Sequence, residues 1–196
     1  LLDMILSIAK RFTQADGGTL YLLDPENQNL VFHVIYNESL NIRRSSKGID
    51  LPSVPLYLSD GTKNLSNVSS YVFHTGEIIN IQNVHETDRF QFDGTKKFDA
   101  ALNYQSRSMV VIPMQNHEEE IIGILQLINA VDPVSGNVIA FSRDAQEKAA
   151  ALASQASVIL TQQMLILEMK ELFEAFIKAI SISIDEKSKH TGSHIE

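Results

Sequence analysis

Apolar residues recur at steps of three and four at the start of the chain. Leu2, Ile5, Leu6, Ala9 and Phe12 predict an amphipathic helix over Leu1–Gln14. Asp16-Gly17-Gly18 then breaks the pattern, and Thr19–Asp24 reads as a strand rich in β-formers. A polar turn over Pro25–Gln28 joins it to a second strand, Leu30–Tyr36, so the pair is an antiparallel hairpin. Asn37–Gly48 is polar and irregular. Leu51–Leu58 holds a short strand that Pro52 and Pro55 assign to a sheet edge. Asn67–Thr75 predicts a short helix ending at Gly76, and Glu77–Asn83 alternates like a strand. A helix is expected from about Thr95 to Leu102.

Ser108–Met114 and Ile121–Ile128 form a second hairpin around the polar turn Gln115–Glu120. Both strands are apolar at nearly every position, which predicts cover on both faces. From Ser142, a good N-cap, to about Glu186 there is neither Gly nor Pro. Leu152, Ala156, Ile159, Gln163, Ile166, Lys170, Phe173, Ile177, Ile180 and Ile184 alternate steps of four and three. That is a coiled-coil seam with two polar interruptions. The order of elements predicts an α+β domain: a mostly antiparallel sheet with helices on it, then a long helix that needs a partner.

Composition narrows the function classes. The chain has 196 residues, 44% apolar and 20% charged, which suffices for a packed core. It has no cysteine, so thiolate nucleophiles, thiolate metal sites and disulfides are excluded. A net charge of −8 repels phosphate backbones, and the small cluster Arg43, Arg44 and Lys47 does not overcome it, so no nucleic-acid partner is expected. No uninterrupted apolar run spans a bilayer and no secretory signal opens the chain, so membrane contact is not expected and a cytoplasmic setting is. No Ser/His/Asp set, paired-carboxylate site or Gly-rich phosphate loop stands out. Leu1 at one end, and helical propensity still running at Glu196, read as a piece of a longer protein.

Several strings together resemble a known family. Gly18–Asp24, Thr75–Ile81, Asp88-Arg89-Phe90, Arg107–Pro113 and Ile121–Asn129 occur in the order and at the spacing of a GAF domain, over residues 1–160. The resemblance is closest to GAF domains of the cyclic-nucleotide phosphodiesterase and bacterial adenylyl cyclase type. It implies about six antiparallel strands, a small-molecule pocket between one face and the connecting segments, and the first and last helices on the other face. It also implies a homodimer through those helices. The signature of the cyclic-nucleotide group is incomplete: Asn129 and Phe141 are present, but Ala130 replaces a lysine and Ala145-Gln146 replaces Asp-Glu, with Asp144 one position early.

Carried over, the resemblance places Thr19, Ile35, Tyr36, Val68, Ser69, Phe90, Ser106 and Gln126 at the pocket. Thr19 meets a base edge, Tyr36 stacks on a base, and Val68 and Ser69 offer helix N–H groups to a phosphate. Each also has a plainer reading as a strand, rim or core residue. Gln126 is the sharpest case, because it lies on one strand face with Ile122, Ile124 and Ile128 and a buried glutamine needs a partner. His33 and His85 read as structural, and His117 as solvated.

The tail from Phe176 to Glu196 resembles the opening of an HD or HD-GYP phosphohydrolase domain, with residues 161–186 as linker helix and 187–196 as its start. His194 matches that family's first site histidine, but the two histidines His190 and His194 cannot complete a metal centre. Divalent metals are therefore expected only in the missing part, and residues 1–196 are not expected to be an enzyme or to hold a cofactor. The expected function is a regulatory domain of a bacterial signalling phosphodiesterase, sensing a cyclic nucleotide or other small ligand. The alternative is a ligand-free dimerisation scaffold of the same parent.

Overall fold

A computed structural model describes residues 2–24, 26–45 and 51–192, with side chains in the last helix to residue 183. The elements run α1 (Leu2–Thr13), β1 (Ala15–Asp24), β2 (Asn29–Asn37), β3 (Ile42–Ser45), β4 (Val54–Pro55), α2 (Val68–Thr75), β5 (Ile79–Ile81), α3 (Asp93–Leu102), β6 (Met109–Gln115), β7 (Ile121–Val131), β8 (Val138–Ile139) and α4 (Arg143–Gly192). The chain divides into two compact units, Leu1–Val158 and Ile159–Glu196.

The first unit is the GAF-type α+β architecture. Six strands form the sheet path β3-β2-β1-β7-β6-β5, with β4 added to β2 and β8 to β7. All strand pairs are antiparallel. β3 arises where the sequence reads as irregular. Arg43 and Arg44 carry no apolar pattern, and the strand exists because Ile42–Ser45 pairs with Val34–Asn37 as an exposed edge. Asp16-Gly17-Gly18 is also not a break: it lies inside β1. The glycine at 18 permits close approach, since a Cβ there would stand 2.7 Å from Leu6 Cδ1 and 2.8 Å from Leu127 Cδ2.

Side-chain alternation separates the two faces of the sheet. One face carries Tyr21, Ile124, Met109, Val111, Ile79 and Ile81, and packs with Val68, Val72, Phe90 and Phe92 from α2 and the segment leading to α3. Leu20, Leu125 and Leu127 alternate onto the other face, where Leu6 of α1 approaches at Gly18. Asn80 also alternates away from Ile79 and Ile81, and its Nδ2 donates to the Phe141 carbonyl at 3.1 Å and to Gln146 Oε1 at 3.2 Å, at the start of α4. Ser142 Oγ accepts from Ala145 N at 3.1 Å, the expected cap.

Within the first unit α4 buries a stripe of small residues, Ala145, Ala149, Ala153 and Ala156. The proposed seam is therefore interrupted at its start: Ala156 is buried and Leu152 half-buried inside this unit. In the second unit the helix exposes Ile166, Met169, Leu172, Phe173, Phe176, Ile177 and Ile180. Although it holds no uninterrupted apolar run, α4 over Arg143–Ser183 is long and apolar enough to cross a membrane by length and composition only. Ile184 and the histidines at 190 and 194 fall outside the described side chains.

Candidate functional site

Five strands contribute one side chain each to a row across the sheet. Ile35 pairs with Thr19, Thr19 with Gln126, Gln126 with Val111, and Val111 with Ile79. Cross-strand partners point to the same face. The row is apolar at its ends and polar at its centre, where Thr19 and Gln126 are both half-buried. This is the face that α2 covers.

Gln126 Oε1 accepts from Ser69 Oγ at 3.2 Å and from the Tyr21 hydroxyl at 3.4 Å. Among the described residues, the Gln126 amide nitrogen and the Thr19 hydroxyl have no hydrogen-bond partner. The site therefore presents an oriented amide beside a hydroxyl on an otherwise apolar surface. Burial pushes the Tyr21 phenol well above its usual range, opposed by the bond with Ser69, so the ring is a neutral donor at any physiological pH. Tyr21 also packs on Phe32 with ring centroids 4.7 Å apart. Phe90 sits edge-on to Tyr71 at 5.2 Å and to Phe92 at 6.5 Å. The alternation of β1 puts Tyr21 on the same face as Thr19, two residues on, which is the sequence signal for this residue, absent from the expected set.

The start of α2 differs from the expectation. Asn67 is the N-cap, and its Oδ1 accepts from Ser69 N at 2.9 Å and Ser70 N at 3.2 Å. Of the two N–H groups expected to be free for a phosphate, that of Ser69 is already satisfied by this cap. An asparagine immediately before a helix is the sequence signal for this cap.

Structure brings together Thr19, Ile35, Val68, Ser69, Phe90 and Gln126 on one side of the sheet; Tyr36 and Ser106 are elsewhere. Tyr36 follows Ile35, so the strand period turns it to the opposite face. There Lys10 Nζ lies 4.0 Å from its ring centroid and Arg43 Cζ 5.7 Å. Ser106 is buried and bonded to Asp99 of α3: its N–H donates to Oδ2 at 2.9 Å and its hydroxyl to Oδ1 at 2.8 Å. It ties α3 to the segment that leads into β6, with both of its donors engaged.

The signature residues have structural roles. Asn129 is buried in the left-handed region, φ 55°. Its Oδ1 accepts from Arg107 N at 2.7 Å, and its Nδ2 donates to the Gln105 carbonyl at 2.8 Å and the Tyr104 hydroxyl at 2.9 Å. Ala130 and Ala145, at the lost lysine and aspartate positions, are both buried. Asp144 pairs instead with Lys148 at 2.7 Å on the exposed surface of α4. Among the described residues no group of three or more His, Asp or Glu side chains is placed to hold a metal.

A sheet with one face covered by α2 and the segment leading to α3 over a small polar centre, and with α1 on the other face, is an α+β fold shared by one known family. The chain belongs to the GAF family: the GAF domain model matches residues 1–160. Over 133 residues it is 26% identical to the probable 3′,5′-cyclic phosphodiesterase pde-5 of Caenorhabditis elegans, covering 66% of this chain and 16% of that protein. Over 62 residues it is 34% identical to the dual 3′,5′-cyclic-AMP and -GMP phosphodiesterase 11A of Takifugu rubripes, covering 32% of this chain and 6% of that one. The chain thus spans a small part of both relatives. The GAF domain of an Acinetobacter phosphoenolpyruvate-protein phosphotransferase shares the fold, with a TM-score of 0.60 and 17% identity over 85% of this chain and 84% of that one.

Proposed function

We propose that this chain is the sensory GAF domain of a signalling phosphodiesterase and binds a purine cyclic nucleotide on the sheet face at Gln126. The observation that carries this reading is the Gln126 side chain. Its oxygen is fixed by Ser69 and Tyr21, its cross-strand neighbour is Thr19, and its amide nitrogen has no partner among the described residues. A fixed amide next to a hydroxyl matches the donor and acceptor edge of a purine. The relatives named above are cyclic-nucleotide phosphodiesterases, which supports the ligand class. A cyclic phosphate at the start of α2 would displace the Asn67 side chain and take over its two N–H donors. The helix beyond residue 159 pairs with a second copy and carries the signal to a downstream HD-type domain.

The second reading, a ligand-free scaffold, is favoured by one observation: Tyr21, Phe32, Phe90, Phe92 and Ile124 already pack together on the same face. Thermal-shift titration with cyclic AMP, cyclic GMP and cyclic dinucleotides separates the two. A ligand at 100 times its dissociation constant adds about 2.7 kcal/mol, roughly 5–10 °C for a domain of this size. Sensing predicts such a shift for one of them, lost in Gln126→Leu. No shift with any of them leaves the scaffold.

A further inference from the structure

A second cleft opens on the first unit, away from the Gln126 face. It has a volume of about 870 Å³ and lies where the C-terminal end of α1, the start of β1, the end of β2, the α3–β6 connection and the β7–β8 turn converge. That volume is in the range of small-molecule sites.

Its floor is a closed polar network. Lys10, 3% exposed, donates to the Asp16 carbonyl at 2.7 Å and to Glu38 Oε2 at 2.9 Å. Asp16 Oδ1 accepts from Ser39 N at 3.1 Å and from the Ser39 hydroxyl at 2.7 Å, and Oδ2 accepts from the Tyr104 hydroxyl at 2.6 Å. Asn129 Nδ2 in turn donates to Tyr104. Burial, then the bond to Asp16, pushes the Tyr104 phenol well above its usual range, so it stays a neutral donor.

Both acids that line the cleft are thus engaged, Glu38 by Lys10 and Asp16 by three donor groups. The remaining cations have no acidic partner among the described residues: Arg11 and Arg107 line the cleft from opposite elements, and Arg107 Nη2 donates only to the neutral Gln105 Oε1, at 3.1 Å. Arg11 stands in the last turn of α1, where a cation commonly balances free carbonyls. Here two of those carbonyls, Ala9 and Lys10, already accept from the Thr13 hydroxyl at 2.7 and 3.3 Å. Two exposed lining residues, Gln14 and Asn103, hold left-handed backbone conformations at the ends of α1 and α3. Non-glycine residues pay for that conformation, and such residues gather at ligand sites.

We infer that this cleft binds a small molecule through an oxyanion, carboxylate or phosphate, held between Arg11 and Arg107. The amides of Gln14, Asn103 and Gln105 surround its polar body. On a chain of net charge −8 this is a local exception to the prevailing field. The inference does not depend on cyclic-nucleotide binding, since the residues are disjoint from the Gln126 site.

The test is calorimetric titration of the full chain with inorganic phosphate, pyrophosphate and citrate at constant ionic strength, with amide NMR shifts read in parallel. The expected result is saturable binding of at least one probe, with the largest shifts at residues 103–107 and at 14. Pyrophosphate outperforming citrate identifies a phosphate ligand, and the reverse a carboxylate. The double variant Arg11→Gln/Arg107→Gln should bind on the order of tenfold more weakly or worse, while Gln126→Leu should bind as the parent does. Both arginines are exposed, so the double variant is expected to fold, and its unchanged NMR dispersion would establish that. Non-saturating titrations with all three probes, or equal binding by the double variant, overturn the inference.

Discussion

Ser69 on α2 donates its hydroxyl to Gln126 Oε1 on β7 across 3.2 Å, and Tyr21 on β1 donates to the same oxygen across 3.4 Å. One glutamine thereby ties the covering helix to two central strands. Gln126→Leu leaves the Ser69 and Tyr21 donors without their acceptor, a loss of about 1–3 kcal/mol. Ser69→Ala removes one donor and costs less. Because the two share a bond, Ser69→Ala/Gln126→Leu should be less destabilised than the sum of the singles. Urea unfolding of the four proteins measures the coupling, and strict additivity would show that the bond is not formed in solution.

Asn129 combines a left-handed backbone with three side-chain hydrogen bonds. Asn129→Gly relieves the backbone but loses the bonds; Asn129→Ala loses both. Alanine should therefore be less stable than glycine by about 1 kcal/mol, although elsewhere in a strand the order is reversed. Melting curves for the pair read the sign directly.

Gly123 sits on β7 where a Cβ would stand 2.5 Å from the Tyr21 carbonyl oxygen, a backbone atom that cannot swing away. Gly123→Ala should force β1 and β7 apart and cost about 1–3 kcal/mol. Since β1 carries Thr19 and Tyr21, the same variant should weaken any ligand response at Gln126. A fully stable variant with an intact response would argue against this strand spacing.

What could be read from the sequence follows its periodicities. The two hairpins, α2 and the long helix each carry a pattern of two or of three and four, and the structure contains them. β3 was illegible because Arg43 and Arg44 have no apolar face, and the strand is held by its neighbour β2. The glycines at 17 and 18 look like a turn locally; only the proximity of Leu6 and Leu127 explains why a strand needs a residue without a side chain at 18. For the site, the family resemblance located Ser69 and Gln126 on one face, but it misplaced Tyr36. A shift of one residue along a strand reverses the side chain's direction, and Ile35 is the neighbour that faces Thr19.

Stability should fall on acidification in two steps. Burial holds the His33 imidazole below its ordinary range, partly offset by Asp3. The unfolded chain therefore takes up this proton first, and stability declines as pH falls through about 6.5. Asp24, Asp60 and Asp132 are held below the usual carboxylate range, chiefly by bonds from the Asn27 side chain, the Thr62 hydroxyl and the Val134 N–H respectively. Their contribution is present above about 3.9 and is lost as pH falls through their lower folded values. Denaturation midpoints from pH 7 to pH 3 should show both declines, and His33→Asn should flatten the first while leaving the second.

Ile166, Phe173, Ile177 and Ile180 continue the four-and-three seam, and all are exposed. Lys170 interrupts it. Met169, Leu172 and Phe176 lie one position away from that seam and are exposed as well, so the apolar band is wider than a strict two-residue stripe. A membrane is a poor match for this half: Glu168, Lys170, Glu171, Glu174 and Lys178 place a charge on nearly every turn. A second helix is a better one, since burying each large apolar side chain is worth roughly 1.5–3 kcal/mol and, apart from Lys170 in the seam, the charges lie off it. In a parallel, in-register dimer each seam residue meets its own copy. The chain has no cysteine, so a single introduced thiol is a clean reporter. Ile177→Cys should form an intermolecular disulfide under mild oxidation, and Lys178→Cys, one position off the seam, should do so far more slowly. Phe173→Glu/Ile177→Glu should sediment as a monomer at concentrations where the parent is a dimer. A monomeric parent, or equal crosslinking at both positions, would mean that this helix is covered by something other than its own copy.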